Sequence, residues 1–170
     1  MPGQAIGTTF NIGYPGSVSK SPDTIIRNAA VLSTDTTGPS FGDPVVLNSD
    51  NTVSKASATT TAATFKGIAI REVKQTADYY TNAGAYLPGQ ACDFITRGEV
   101  CVTCQSGTPT AGSTVYLRTV AGTLATAVGG FEAASASDGG TTVALTNAVW
   151  TTGKIDSNLT AEITILSRQA

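Results

Sequence analysis

The chain has 170 residues, a formal net charge of -2, only 13% charged side chains and no histidine. The charged fraction is about half that of an ordinary soluble domain, and no run of lysine or arginine would track a phosphate backbone, so nucleic acid is excluded as a partner. Without histidine, Ser-His-Asp and Cys-His catalysis and every histidine-bearing metal site are excluded as well.

Hydrophobic residues make up 41% of the chain, enough for a core, and the charged surface is replaced by Thr, Ser, Ala, Asn and Gly. Such a surface lies against other protein with few ions to desolvate. No run approaches the ~20 apolar residues of a membrane span, so no membrane partner is expected. The residues after Met1 lack the basic and apolar regions of a secretory signal, and the expectation is a chain made in the cytosol.

The first 28 residues, "MPGQAIGTTFNIGYPGSVSKSPDTIIRN", carry apolar side chains singly, at Ile6, Phe10, Ile12, Tyr14 and Val18. No helical stripe runs through them, and the alternation at Phe10, Ile12 and Tyr14 is cut by Gly13 and Pro15. The chain therefore divides into an extended N-terminal arm with at most one short strand, residues 1–37, and a β-rich body, residues 38–170.

Strand signals follow in order. "NAAVLST" (28–34) is a short apolar run. Residues 38–57 read as turn, strand, turn, strand, with Asp43-Pro44 opening the first strand and Asn48–Asn51 reversing the chain. In "TFKGIAIREVKQT" (64–76), Ile68, Ile70 and Val73 alternate with Ala69, Arg71 and Lys74, as in a strand with one face buried. Residues 90–96 and 98–104 are two strands hinged at Arg97-Gly98. Residues 111–127 read as a hairpin, Thr114–Thr119 and Thr123–Ala127. "GGFEAASASDGG" (129–140) reads as a mobile surface loop, and 157–169 alternates Leu159, Ala161, Ile163 and Ile165 as a last strand. Helix signals are poor, because glycine and β-branched residues recur throughout. The fold class is all-β, with a small β-barrel or β-sandwich body.

Reactive chemistry is sparse. Cys101-Val-Thr-Cys104 is a CxxC, but a redox pair belongs at a helix N-terminus, whereas an offset of three in a strand points the two thiols to opposite faces. A zinc site would need more than Cys92 and an acid such as Asp93 or Glu99. Cys92, Cys101 and Cys104 read as small hydrophobes of a sheet. The acids are spread among turns, which does not suit a paired-carboxylate hydrolase. No metal and no cofactor are expected. Tyr79, Tyr80 and Tyr86 flank a Gly/Pro-rich turn; they read as interface aromatics, with base or sugar stacking as the rival use.

The segments "FGDPVVL", "FKGIAIREVKQ", "YLPGQACDFITRGEVCVTC" and "AGSTVYLRT" occur in an order and spacing that resembles the capsid cement, or head decoration, proteins of tailed bacteriophages. The matching stretches are Gly42–Leu47, Gly67–Ile70, Gly89–Thr96, Arg97–Val102 and Gly112–Tyr116, so the resemblance spans roughly residues 38–120. It implies a non-enzymatic virion protein on the outer surface of a phage head. Its partners would be the major capsid protein and copies of itself, often as a homotrimer. An arm that cannot bury itself would then be buried by a neighbour, with Ile6, Phe10, Ile12, Tyr14 and Val18 as anchors. Fully extended, 28 residues reach about 90 Å at ~3.3 Å each. A tail-associated structural domain and a surface carbohydrate-binding module are the rival readings of the same composition.

Overall fold

The computed structural model describes residues 12–71, 84–124 and 126–167. Nine strands occur among the described residues: β1 Val18–Ala30, β2 Pro44–Leu47, β3 Val53–Lys55, β4 Phe65–Ala69, β5 Ala91–Ser106, β6 Thr114–Val120, β7 Phe131–Glu132, β8 Thr141–Ile155 and β9 Thr160–Ile165. No helix occurs among the described residues, and the all-β class expected from the glycine and β-branched content holds.

The sixteen-residue strand β5 organises the molecule. Its C-terminal part closes a ring. It pairs antiparallel with β9, β9 with β8, β8 with β6 and β6 with β7, and β7 returns to β5 in parallel. The result is a small closed barrel, filled by Val100, Val102, Cys104, Leu117, Phe131, Leu145, Trp150, Ile163 and Ile165. The N-terminal part of β5 extends out of the ring, where β1 takes one edge and β4 the other, with β2 and β3 beyond β4. A second cluster of Val31, Val45, Val53, Ala69, Tyr86, Cys92 and Phe94 packs on this extension.

One strand serves two cores because its faces exchange at Gly98. Phe94 belongs to the second cluster and Ile95 to the barrel core, yet beyond Gly98 the even-numbered Val100, Val102 and Cys104 face the barrel. A slip of one residue exchanges the faces of a strand. Gly98 has φ of 119°, and a Cβ there would lie 2.9 Å from Thr24 Oγ1 and 3.1 Å from Thr24 Cα. The pairing with β1 jumps at the same place, from Lys20 opposite Glu99 to Ile25 opposite Arg97. The two strands expected on either side of Arg97-Gly98 are thus one strand carrying a bulge.

Other expectations change in physical detail. Residues 18–30, read as arm, pair along β5 instead, although many of their side chains remain exposed. The expected strand at 123–127 is absent among its described residues, because side chains take its backbone groups. Asp138 accepts from Leu124 N at 3.2 Å, and Gln105 accepts from Ala127 N at 2.6 Å. The partner of β6 is β8. The 129–140 segment is not simply a surface loop, since Phe131 and Glu132 form β7 and are buried. In β4, Ile68 faces the barrel core and Ala69 the second cluster, so both faces are covered. Leu159 is half exposed with φ of 60°, in the turn before β9, rather than on its buried face.

Candidate functional site

The surface that the sequence singled out begins at Ile12, the first described residue. From there to Ser17 the chain runs as a strap along the outside of the barrel. Gly16 N donates to Cys101 O at 2.8 Å, Cys101 N to Ser17 O at 2.9 Å, and Arg71 N to Gly16 O at 2.8 Å. Ile12 N donates to Asp156 Oδ2 at 3.3 Å. The strap lies so close to β5 that a Cβ on Gly13 would meet Cys101 Sγ at 2.8 Å, which leaves room for glycine alone.

The anchor candidates divide along this path. Val18 is partly buried and packs against the barrel core, opposite Val100. Ile12 is half-buried. Tyr14 is 63% exposed, and its ring receives the Arg71 guanidinium at 5.2 Å. Arg71 also lies 5.4 Å from the Phe41 ring, and Phe41 meets Tyr86 edge-on with centroids 5.5 Å apart. This row of contacts fixes Tyr14 from beneath and leaves its outer side open. Tyr86, grouped by sequence with the interface aromatics, is instead enclosed by its own chain; its hydroxyl donates to Ile70 O at 2.8 Å. Ile6, Phe10, Tyr79 and Tyr80 lie outside the described residues.

The titrating groups around the strap are shifted by their surroundings. Burial alone would raise the Asp156 carboxyl, but the N–H groups of Thr160, Asn158 and Ile12 hold it below its ordinary value. Lys20 is held above its ordinary value by its hydrogen bond to Glu99 at 2.6 Å, aided by the Glu162 carboxylate. Burial, with the Glu162 and Asp156 charges, pushes the Cys101 thiol up to about 11. Burial also raises Cys104. Cys101 lies under the strap and Cys104 in the barrel core, as an offset of three in a strand requires. All three cysteines are buried and none is in a disulfide, and the raised pKa of Cys101 and Cys104 withholds the thiolate that redox or ligand chemistry needs.

A feature that sequence reading missed stands at the other side of the barrel. Arg118 on β6 is buried, and its Nε donates to Glu132 Oε1 and its Nη2 to Glu132 Oε2 at 3.1 Å. Its Nη1 reaches both oxygens of Asp138 at 3.1 Å. One guanidinium thus ties the 129–140 segment to the barrel wall through two forked pairs. The signal in the sequence was faint: a single Arg in a strand and two acids in a Gly/Ser-rich run.

The chain matches, over residues 2–166, the family described as structural cement protein (E217 gp24/Pam3 gp6). The chain belongs to that family of phage structural proteins. Among solved structures it is similar to a chain of the capsid of Myoviridae phage XM1, with a TM-score of 0.66 at 21% identity and the full length of both chains covered. That likeness shows the shared fold. No curated protein sequence matches. Family membership gives this chain the role of a structural cement protein of a phage.

Proposed function

We propose that this protein sits on the outer surface of the phage head and clamps neighbouring subunits of the major capsid protein. It is made in the host cytoplasm and adds to the head in clusters of copies, for which the family resemblance implies a homotrimer. The action is mechanical: burying additional interface between capsid subunits raises the free energy needed to separate them. A contact of about 1,600 Å² would be ordinary for such a clamp. No catalytic step enters.

The strap is the observation that carries this reading. Ile12–Ser17 is bonded to the barrel from outside and holds Tyr14 out at the surface. Residues 1–11 precede that fixed point in the sequence, and we assign Ile6 and Phe10 as the anchors that a neighbour buries, with Tyr79 and Tyr80 as further interface aromatics. Repetition over a shell makes individually weak arms effective, because each linked contact raises the effective concentration of the next.

Co-sedimentation with expanded, undecorated heads of the phage tests the proposal. Saturable binding at a fixed number of copies per capsid subunit is expected. Deleting residues 2–11 keeps the bonded strap Ile12–Ser17 and is expected to leave the thermal melt unchanged and to weaken binding by at least about tenfold. Equal binding of the full and shortened chains would remove the arm from the mechanism, and failure of the full chain to bind heads would remove the clamp.

A further inference from the structure

Two hairpins of this molecule turn on the same pattern of bonds. Between β2 and β3, Asn48 N donates to Thr52 O at 2.8 Å and Asn51 N to Asn48 O at 3.1 Å. Between β8 and β9, Asp156 N donates to Thr160 O at 3.0 Å and Leu159 N to Asp156 O at 3.0 Å. An aspartate braces each turn. Asp50 Oδ1 accepts from Thr52 N at 3.0 Å, and Asp156 Oδ1 accepts from Asn158 N and Thr160 N, both at 2.9 Å. A hairpin of this kind sends its last turn residue into the left-handed region, and φ is 63° at Asn51 and 60° at Leu159.

The two turns differ in what they place there. Glycine and asparagine tolerate the left-handed region, whereas a bulky side chain crowds its own carbonyl and is an outlier. Among the described residues, every other positive φ belongs to glycine. The strain at Leu159 has no return within the body: the side chain is 50% exposed and belongs to neither apolar cluster. Yet the pose is fixed from several sides. Leu159 O accepts from Cys104 N at 2.8 Å, which ties the turn to β5. Asp156 Oδ2 accepts from Ile12 N at 3.3 Å, which ties the same turn to the root of the arm. A strained residue that its surroundings over-determine marks a functional position.

We propose that Leu159 is a docking peg, seated in an apolar pocket of the capsid subunit that the clamp holds. The inference rests on the clamp reading and deepens it. Because the β8–β9 turn and the strap share Asp156, peg and arm address the same subunit. A leucine on a braced turn has little freedom left to lose on docking, and the apolar area it removes from water supplies the gain.

The test uses the full chain on undecorated heads. Leu159→Asn gives this turn the residue type that the β2–β3 turn already has. Its thermal midpoint is expected to stay level or rise, by up to about 2–4 °C, while head binding weakens at least about tenfold. Leu159→Met keeps an apolar side chain of similar volume and is expected to bind within about threefold of the unmodified chain. A photo-crosslinking derivative placed at Leu159 is expected to join the major capsid protein. Failure of the unmodified chain to bind heads would overturn the clamp itself. If it binds, the peg is overturned by any of four results: a lower midpoint for Leu159→Asn, which would show that Leu159 serves the body's own packing; unchanged head binding by Leu159→Asn; a loss with Leu159→Met as great as with Leu159→Asn; or a crosslink confined to this chain or to another copy of it.

Discussion

Arg118 shows how a single residue decides the state of a whole segment. Its guanidinium is enclosed, so its two acids are held in a medium where an unpaired charge is expensive. Glu132→Ala would leave that charge half-compensated and is expected to lower unfolding stability by about 3 kcal/mol, read as a shift of the urea midpoint. Replacing all three together, Arg118→Met with Glu132→Leu and Asp138→Asn, is expected to cost less than the single change, because no buried charge is left behind. Breaking the exposed Lys20–Glu99 pair by Lys20→Ala should leave the midpoint nearly where it was. The contrast separates an ion cluster that fixes a loop from one that merely decorates the surface.

At the scale of elements, β5 carries the architecture, and Gly98 lets it do so. Gly98→Ala introduces a side chain at a positive φ and against Thr24. The backbone alone costs roughly 1–3 kcal/mol. Gly112→Ala meets nothing within 4 Å at φ of 75°, so it bears the backbone cost without the clash. The thermal midpoint of Gly98→Ala is expected to fall further than that of Gly112→Ala, and equal falls would show that the approach to β1 does not matter. The sequence made Gly98 visible as a hinge, and it made the alternation of β9 and the Asp43-Pro44 start of β2 visible too. It hid what depends on distant partners. The 123–127 backbone is captured by Asp138 and Gln105, both remote in sequence. β1 is ordered by a ladder to residues about 70 positions away, so its own weak pattern read as an arm. Within the candidate site, Ile12 and Tyr14 stood out by their alternation, whereas the Arg118 cluster exists only once β6 and the 129–140 segment lie side by side.

For the molecule as a whole, the titrating groups set a pH window. Asp138 and Asp156 have pKa values held below the ordinary 3.8, so the stability they contribute is present above about pH 4 and is lost as pH falls through their folded values. Cys101 is raised from an ordinary 9.0 to about 11. The folded state therefore binds more protons than the unfolded chain between those values, and stability declines as pH rises from 9.0 toward 11. Urea midpoints measured across pH should show a plateau between the two limbs. Cys101→Ala is expected to make the alkaline limb shallower, leaving the smaller share of Cys104 and Lys20, and to leave the acid limb alone; an unchanged alkaline limb would place its origin elsewhere.

The ladder between β1 and β5 has a mechanical consequence. Traction entering at Ile12 and directed along the axis of β1 stresses the rungs from Val18 to Ala30 side by side, in shear, rather than peeling them one after another. Resistance to a pull of that kind is governed by the rate at which the native state opens, not by equilibrium stability alone. On the clamp reading, a shell swelling under internal load would pull on the long strand that first looked like a loose end, and its ladder would spread that load along β5 rather than concentrate it at one rung.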